Sequence, residues 1–174
     1  MAPFHRSGRH GRLRPAHILM LGAAVVLIGS ACSKGQSSST TTTATPPVIK
    51  VSVSGFRYHG MPATIKQGYT TFLFSNDESF QITHEMIPIA LPAGKTTQDV
   101  INDGKAKGPA SEDDWLHAGG DFGTADTGAH VLEAIYLYPG NYAVACWQTG
   151  TQSGGTNGPV HVSIGMIAPF TVSS

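Results

Sequence analysis

An all-β sandwich is the fold class that residues 48–174 predict, and three observations carry the prediction. Ile49, Val51 and Val53 alternate with Lys50, Ser52 and Ser54, the period-2 pattern of a strand with one buried face. Pro139-Gly140-Asn141 is a turn signal between two extended runs, residues 131–138 and 142–147. Roughly seven short runs with turns between them fill the segment, the spacing expected of two packed sheets.

In chain order, the alternating run at 49–53 comes first and Ile65 sits in a short strand-like stretch. Gly68 then turns into residues 69–74, rich in aromatics and threonine, the side chains that favour a pleated surface. Residues 80–89 read as another extended run, centred on His84. The pattern breaks over 91–128. Thr96 caps a short helix through Asp99, Val100 and Ile101, which Gly104 or Gly108 ends. Beyond it, Pro109, the acids Glu112, Asp113 and Asp114 and several glycines read as irregular surface, so 91–128 is expected to be a mostly irregular insertion carrying one short helix and covering one end of the sandwich. The hairpin at 131–147 follows, and 167–172 is the last strand.

The first 47 residues differ in kind. Residues 1–17 hold Arg6, Arg9, Arg12 and Arg14 and no acid, residues 18–28 are apolar, and Gly29, Ser30 and Ala31 precede Cys32. A basic start, a short apolar stretch and small residues before a cut describe a secretory signal over 1–31. Eleven apolar residues rise only about 16 Å as a helix, roughly half a bilayer core, so a permanent span is not expected. Residues 27–32, ending Ser30-Ala31-Cys32, resemble a bacterial lipobox, which implies a diacylated (palmitate-type) Cys32 at the mature N-terminus and stable attachment to the outer face of the cell membrane. The alternative is a simple secretory signal with a chance cysteine near its cut. Residues 32–47, Ser/Thr-rich and ending in two prolines, have nothing to bury and read as a disordered tether with a reach of about 20 Å.

The whole chain has 11 Lys+Arg and 11 Asp+Glu. Without the four leader arginines, seven basic side chains face eleven acidic ones, a net charge of −4. No basic patch with interleaved aromatics remains, which argues against a nucleic-acid partner.

Cys32 and Cys146 are the only cysteines, so an acylated Cys32 leaves Cys146 as the sole free thiol of an exported chain. Cys146, His161 and Met166 follow one another, with His84 upstream. One thiolate, two imidazoles and a thioether form the soft set that suits a single copper ion cycling between Cu(I) and Cu(II), with Met166 weak and axial. By alternation Tyr142, Val144 and Cys146 share one strand face, Gly165 allows a tight approach before the final strand, and His84 comes from a separate strand. Taken singly, each has a plainer reading: Cys146 as a buried inert thiol, His84 as a satisfied polar group, Met166 as core. The four together, in this order, favour a copper site over a metal-free relic.

Residues 48–174 resemble the cupredoxins, the plastocyanin and azurin family. The matching words are Phe74-Ser75-Asn76 ahead of Thr83-His84-Glu85, then Leu137-Tyr138-Pro139-Gly140-Asn141-Tyr142 leading to Cys146, and Gly158-Pro159-Val160-His161 and Gly165-Met166 before Phe170-Thr171-Val172. The resemblance implies a Greek-key β-sandwich, one-electron transfer and His84, Cys146, His161 and Met166 as the four copper ligands, with Asn76 locking nearby loops. The chain departs from the family in a 14-residue interval between Cys146 and His161, where small electron carriers have only a few residues, and in the 91–128 insertion. Lengthening that loop from about 4 to 14 residues costs only ~1.1 kcal/mol in closure entropy, which a thiolate–metal bond outweighs. The longer loop is nevertheless expected to loosen the site and expose the metal.

Of the remaining candidates, His117 and His130 are expected at the surface, Met86 and Trp147 in packing, and Asp113 and Asp114 in solvent. His59 with Met61 is a weak second soft site. The chain therefore reads as a membrane-anchored electron carrier serving membrane-associated redox proteins rather than an enzyme. Two other classes stay open: a copper chaperone, scavenger or sensor using the same ligands, and a metal-free binding module.

Overall fold

The computed structural model describes residues 45–120, 122–152 and 157–174. The expectations for the signal segment 1–31, for acylation of Cys32 and for most of the tether fall outside these residues. No helix among the described residues is long and apolar enough to cross a membrane.

Among the described residues, eleven strands form. They are β1 (Val48–Ser54), β2 (Arg57–His59), β3 (Thr64–Lys66), β4 (Gly68–Asn76), β5 (His84–Glu85), β6 (Ile87–Ala90), β7 (Leu116–His117), β8 (Thr124–Ala125), β9 (His130–Leu137), β10 (Gly140–Ala145) and β11 (Ile167–Ser173). One open sheet runs β2-β1-β4-β9 and the other β3-β11-β10-β6-β7, with β5 and β8 pairing as a separate ribbon. Both sheets are mixed: β1 lies parallel to β4, and β11 parallel to β3. The all-β sandwich expected from the alternation is what forms.

Alternation sorts the side chains of β10 into two cores. Tyr142, Val144 and then Cys146 point between the sheets, where they meet Val51, Val53, Phe72, Phe74, Ile135, Leu137, Phe170 and Val172. Ala143, Ala145 and Trp147 point to the other side and pack with Ile87, Ile89, Val100, Trp115, Val160 and Val162. Burying side chains such as Phe72 and Phe74, both fully inaccessible, contributes about 1.5–3 kcal/mol each.

Three expectations are corrected. The extended run at 80–89 yields only β5 and β6, because the Ile82 amide donates to Thr127 Oγ1 and the Ile82 carbonyl accepts from Asn76 Nδ2, side-chain bonds in place of a ladder. The strand ending at 147 stops at Ala145, since the Trp147 amide donates to the Glu85 carboxylate. The insertion is also far from irregular. Its helix α1 spans Thr97–Lys107, starting where Thr96 N–H donates to Asp99 Oδ2 (2.8 Å) and ending at Gly108, whose φ is 64°. A 3-10 helix, Gly108–Asp114, follows with Pro109 in its first turn, and buried Ser111, Trp115 and Phe122 tie the segment down. Instead of capping an end of the sandwich, α1 packs on the outer side of the β6–β10 sheet through Val100.

Candidate metal centre

The strands bring His84, Cys146 and His161 to one point, all fully buried. His84 opens β5, which pairs with β8. Cys146 follows β10 on the inward face that Tyr142 and Val144 set. His161 begins a 3-10 turn, His161–Ile164, closed by Gly165 at φ 97°. A Cβ on Gly165 would meet nothing within 4 Å, so this glycine is needed for its left-handed backbone and not, as expected, for close approach.

His84 Nδ1 lies 3.1 Å from His161 Nδ1, Cys146 Sγ lies 3.3 Å from His161 Nδ1, and Cys146 Sγ lies 3.8 Å from His84 Nδ1. A point equidistant from these three atoms is about 2.0 Å from each, close to the nitrogen and sulfur bond lengths of a first-row divalent ion. Two imidazoles and one thiol, dry and converging at bonding radius, fit a copper ion without rearrangement. Met166 is fully buried in the same core. Its backbone ties it to the other ligands: the Cys146 amide donates to the Met166 carbonyl (3.3 Å), and the Met166 amide donates to the His161 carbonyl (3.1 Å).

The Cys146–His161 loop does not loosen this arrangement. Val162 N–H donates to the Cys146 carbonyl (2.8 Å), His161 N–H to the Gln148 carbonyl (2.9 Å), and Thr149 bridges Val160. The extra residues leave from a closed neck, so length adds chain beyond the site without opening it. The expected exposure of the metal position is thereby overturned. From outside, α1 braces the same turn: a Cβ on Gly104 would come within 2.7 Å of Val162 Cγ1, a contact depth that only glycine permits.

Burial sets the protonation. Desolvation, and after it the Glu85 carboxylate, pushes the Cys146 thiol well above its ordinary value. Burial and then His84 lower His161 to about 4, against a weaker upward pull from the Gly150 carbonyl. Burial also lowers His84, opposed by Glu78. At neutral pH the metal-free centre is therefore a thiol and two neutral imidazoles. The Glu85 amide points at the sulfur (3.5 Å), and its carboxylate also accepts from Gln148 Nε2 (2.7 Å).

Two residues of the centre carry no signal in the sequence. Glu78 is buried, and its Oε1 accepts from His84 Nε2 (3.2 Å) and from Phe56 N–H (2.9 Å), while Oε2 accepts from Gly55 N–H (2.9 Å). Phe56 occupies the left-handed region (φ 57°) in the β1–β2 turn, beside Gly55 (φ 59°). A non-glycine side chain there costs on the order of 1–3 kcal/mol. The strained backbone delivers its ring edge-on to both imidazoles, with centroids 5.4 Å from His84 and 4.9 Å from His161. Acid-before-histidine spacing obeys no ligand rule, and a positive φ at phenylalanine is not written in its neighbours.

Asn76 does lock loops, donating to the Ile82 and Ala125 carbonyls (2.8 Å each). Met86 and Trp147 are packing, as expected, and His130 and Asp113 are exposed. His117 is half-buried beside Glu112 (3.6 Å). His59 is exposed and bonds Ser54 Oγ (3.1 Å).

No family model matches the chain, and no curated protein matches its sequence. Solved structures do resemble it. Auracyanin B is 13% identical, with a TM-score of 0.49 over 75% of this chain and 92% of that one. Dithionite-reduced auracyanin from the photosynthetic bacterium Roseiflexus castenholzii is 15% identical, with a TM-score of 0.48 over 75% and 99%. Auracyanin A, a "blue" copper protein from the green thermophilic photosynthetic bacterium Chloroflexus aurantiacus, is 14% identical, with a TM-score of 0.45 over 73% and 99%.

Proposed function

We propose that this chain is a type 1 copper protein that passes single electrons outside the cytoplasm. The observation that carries the reading is the buried His84–Cys146–His161 triangle, whose atoms surround a point at metal-bonding distance. One copper ion there would be held by His84, His161 and the Cys146 thiolate, with Met166 completing the donor set. Copper supplies the one-electron couple. The protein's own residues keep water out and fix the donors. Phe56 covers the imidazole edges, the Glu85 amide stabilises charge on sulfur, and the closed neck below His161 prevents the donor set from relaxing between oxidation states. No substrate bond is made or broken in this role, so the protein is a carrier and not an enzyme.

The Arg-rich leader, the apolar stretch and Ser30-Ala31-Cys32 support attachment through an acylated Cys32 at the extracytoplasmic face of the membrane, within tether reach of membrane-associated redox partners. Mass spectrometry of the protein extracted from its native membrane tests this through the acyl mass at Cys32.

The copper reading is tested by adding Cu(II) to the metal-free protein. An intense visible thiolate-to-copper absorption is expected, and it should be absent in Cys146→Ser. A chaperone or sensor using the same ligands is the alternative; a long mobile loop would favour it slightly, and the closed neck speaks against that. Reversible voltammetry at one stable potential is expected for a carrier, whereas metal loss on oxidation would favour the chaperone.

A further inference from the structure

We propose that Glu78 is a positioning residue that presets His84 as an Nδ1 donor before an ion binds.

A carboxylate only accepts, so the hydrogen in the Glu78–His84 contact sits on His84 Nε2. A neutral imidazole has one N–H, and His84 Nδ1 is therefore bare and faces the centre. Across the centre, His84 Nδ1 faces His161 Nδ1 at 3.1 Å, the gap in which an ion would be held.

When an ion arrives, His84 needs no change. With both imidazoles neutral, the net release to solvent on binding is the Cys146 thiol proton alone. Glu78 has a second task. The oxygen that orients His84 also holds the Phe56 amide, and the other oxygen holds Gly55, fastening the aromatic turn over the centre.

The proposal rests on the copper reading for the identity of the ion, but the preset tautomer is measurable without metal. Long-range proton–nitrogen NMR on the 15N-labelled metal-free protein at neutral pH should show His84 protonated at Nε2. Adding Cu(I) should leave that tautomer unchanged. Glu78→Leu should erase the His84 preference and weaken Cu(I) binding about 10–100-fold. Glu78→Gln, which keeps an acceptor, should retain the wild-type tautomer. Should Glu78→Leu fail to fold, the wild-type and Glu78→Gln spectra still decide the matter. A metal-free His84 with its hydrogen on Nδ1 would overturn the proposal, as would an unaltered tautomer and affinity in a folded Glu78→Leu. If the metal-free His84 tautomer is as stated and Cu(I) does not bind, the copper reading fails while the positioning role of Glu78 stands.

Discussion

The two imidazoles of this centre are moored in opposite ways. His84 is gripped through its ring: the Glu78 carboxylate holds Nε2, and the same carboxylate holds the turn that carries Phe56. His161 is gripped through its backbone, by hydrogen bonds to Gln148 and Met166 and by α1 pressing on Val162. One ligand is fixed by side-chain chemistry inside the sandwich, the other by packing of an insertion outside it. The insertion thus belongs to the architecture of the site: α1 braces the His161 turn from outside, and β8 pairs with the strand that carries His84. Perturbing the two moorings separately tests how independent they are.

The largest effect expected is that of pH on the metal-free protein, and it weighs on both sides at once. Each imidazole is held below 6.5 by burial, His161 to about 4. Below pH 6.5 the unfolded chain binds more protons than the folded one, so stability is full above that pH and declines as pH falls. The His161 contribution is gone once pH passes below about 4. Urea midpoints measured between pH 7 and pH 4 should fall steadily, and saturating Cu(I) should not flatten the decline, because a metal-bound centre takes up no protons either. A midpoint that does not move would mean that the imidazoles are solvated.

Gly104→Val probes the His161 side. A side chain in a gap of 2.7 Å must displace Val162, and the cost should be about 1–3 kcal/mol. Guanidinium titration measures it, and the His84 tautomer should not respond. Phe56→Asn probes the other side. Asparagine tolerates the left-handed backbone, which offsets part of the lost ring burial, for a net destabilisation of about 1–2 kcal/mol. Its distinctive consequence is faster transfer of copper to an added chelator, because the imidazole edges lose their cover.

Ser111→Ala should have the smallest effect. It removes the acceptor of the buried Trp147 Nε1–H (2.9 Å), worth about 1 kcal/mol. The visible spectrum of the copper form should be unchanged, since Trp147 faces away from the sulfur. A shifted spectrum would mean that the outer core tunes the metal directly.

These contrasts also separate what the sequence makes legible from what it does not. Period-2 alternation placed Cys146 on the inward face with Tyr142 and Val144, because burial of one face is a local pattern. Thr96 and Asp99 marked the start of α1, because capping is local too. The end of α1 was legible only as a choice between Gly104 and Gly108, and it falls at Gly108. Gly104 disfavours a helix interior, and only its contact with Val162, 58 residues away, accounts for its presence. The order of the 3-10 segment was hidden for the same reason, since Ser111 and Trp115 are buried by tertiary packing and not by periodicity. Among the site residues, the histidines and the cysteine stand out by type and order, whereas Glu78 is one acid among eleven and gains its meaning only from what surrounds it.

X-ray absorption at the copper edge of the reconstituted protein tests the triangle of donors most directly. One sulfur and two nitrogen scatterers at short distance, about 2.0–2.3 Å, are predicted for the wild type, with the short sulfur lost in Cys146→Ser. A shell of nitrogen and oxygen alone, unchanged by that substitution, would mean that copper binds elsewhere on the chain.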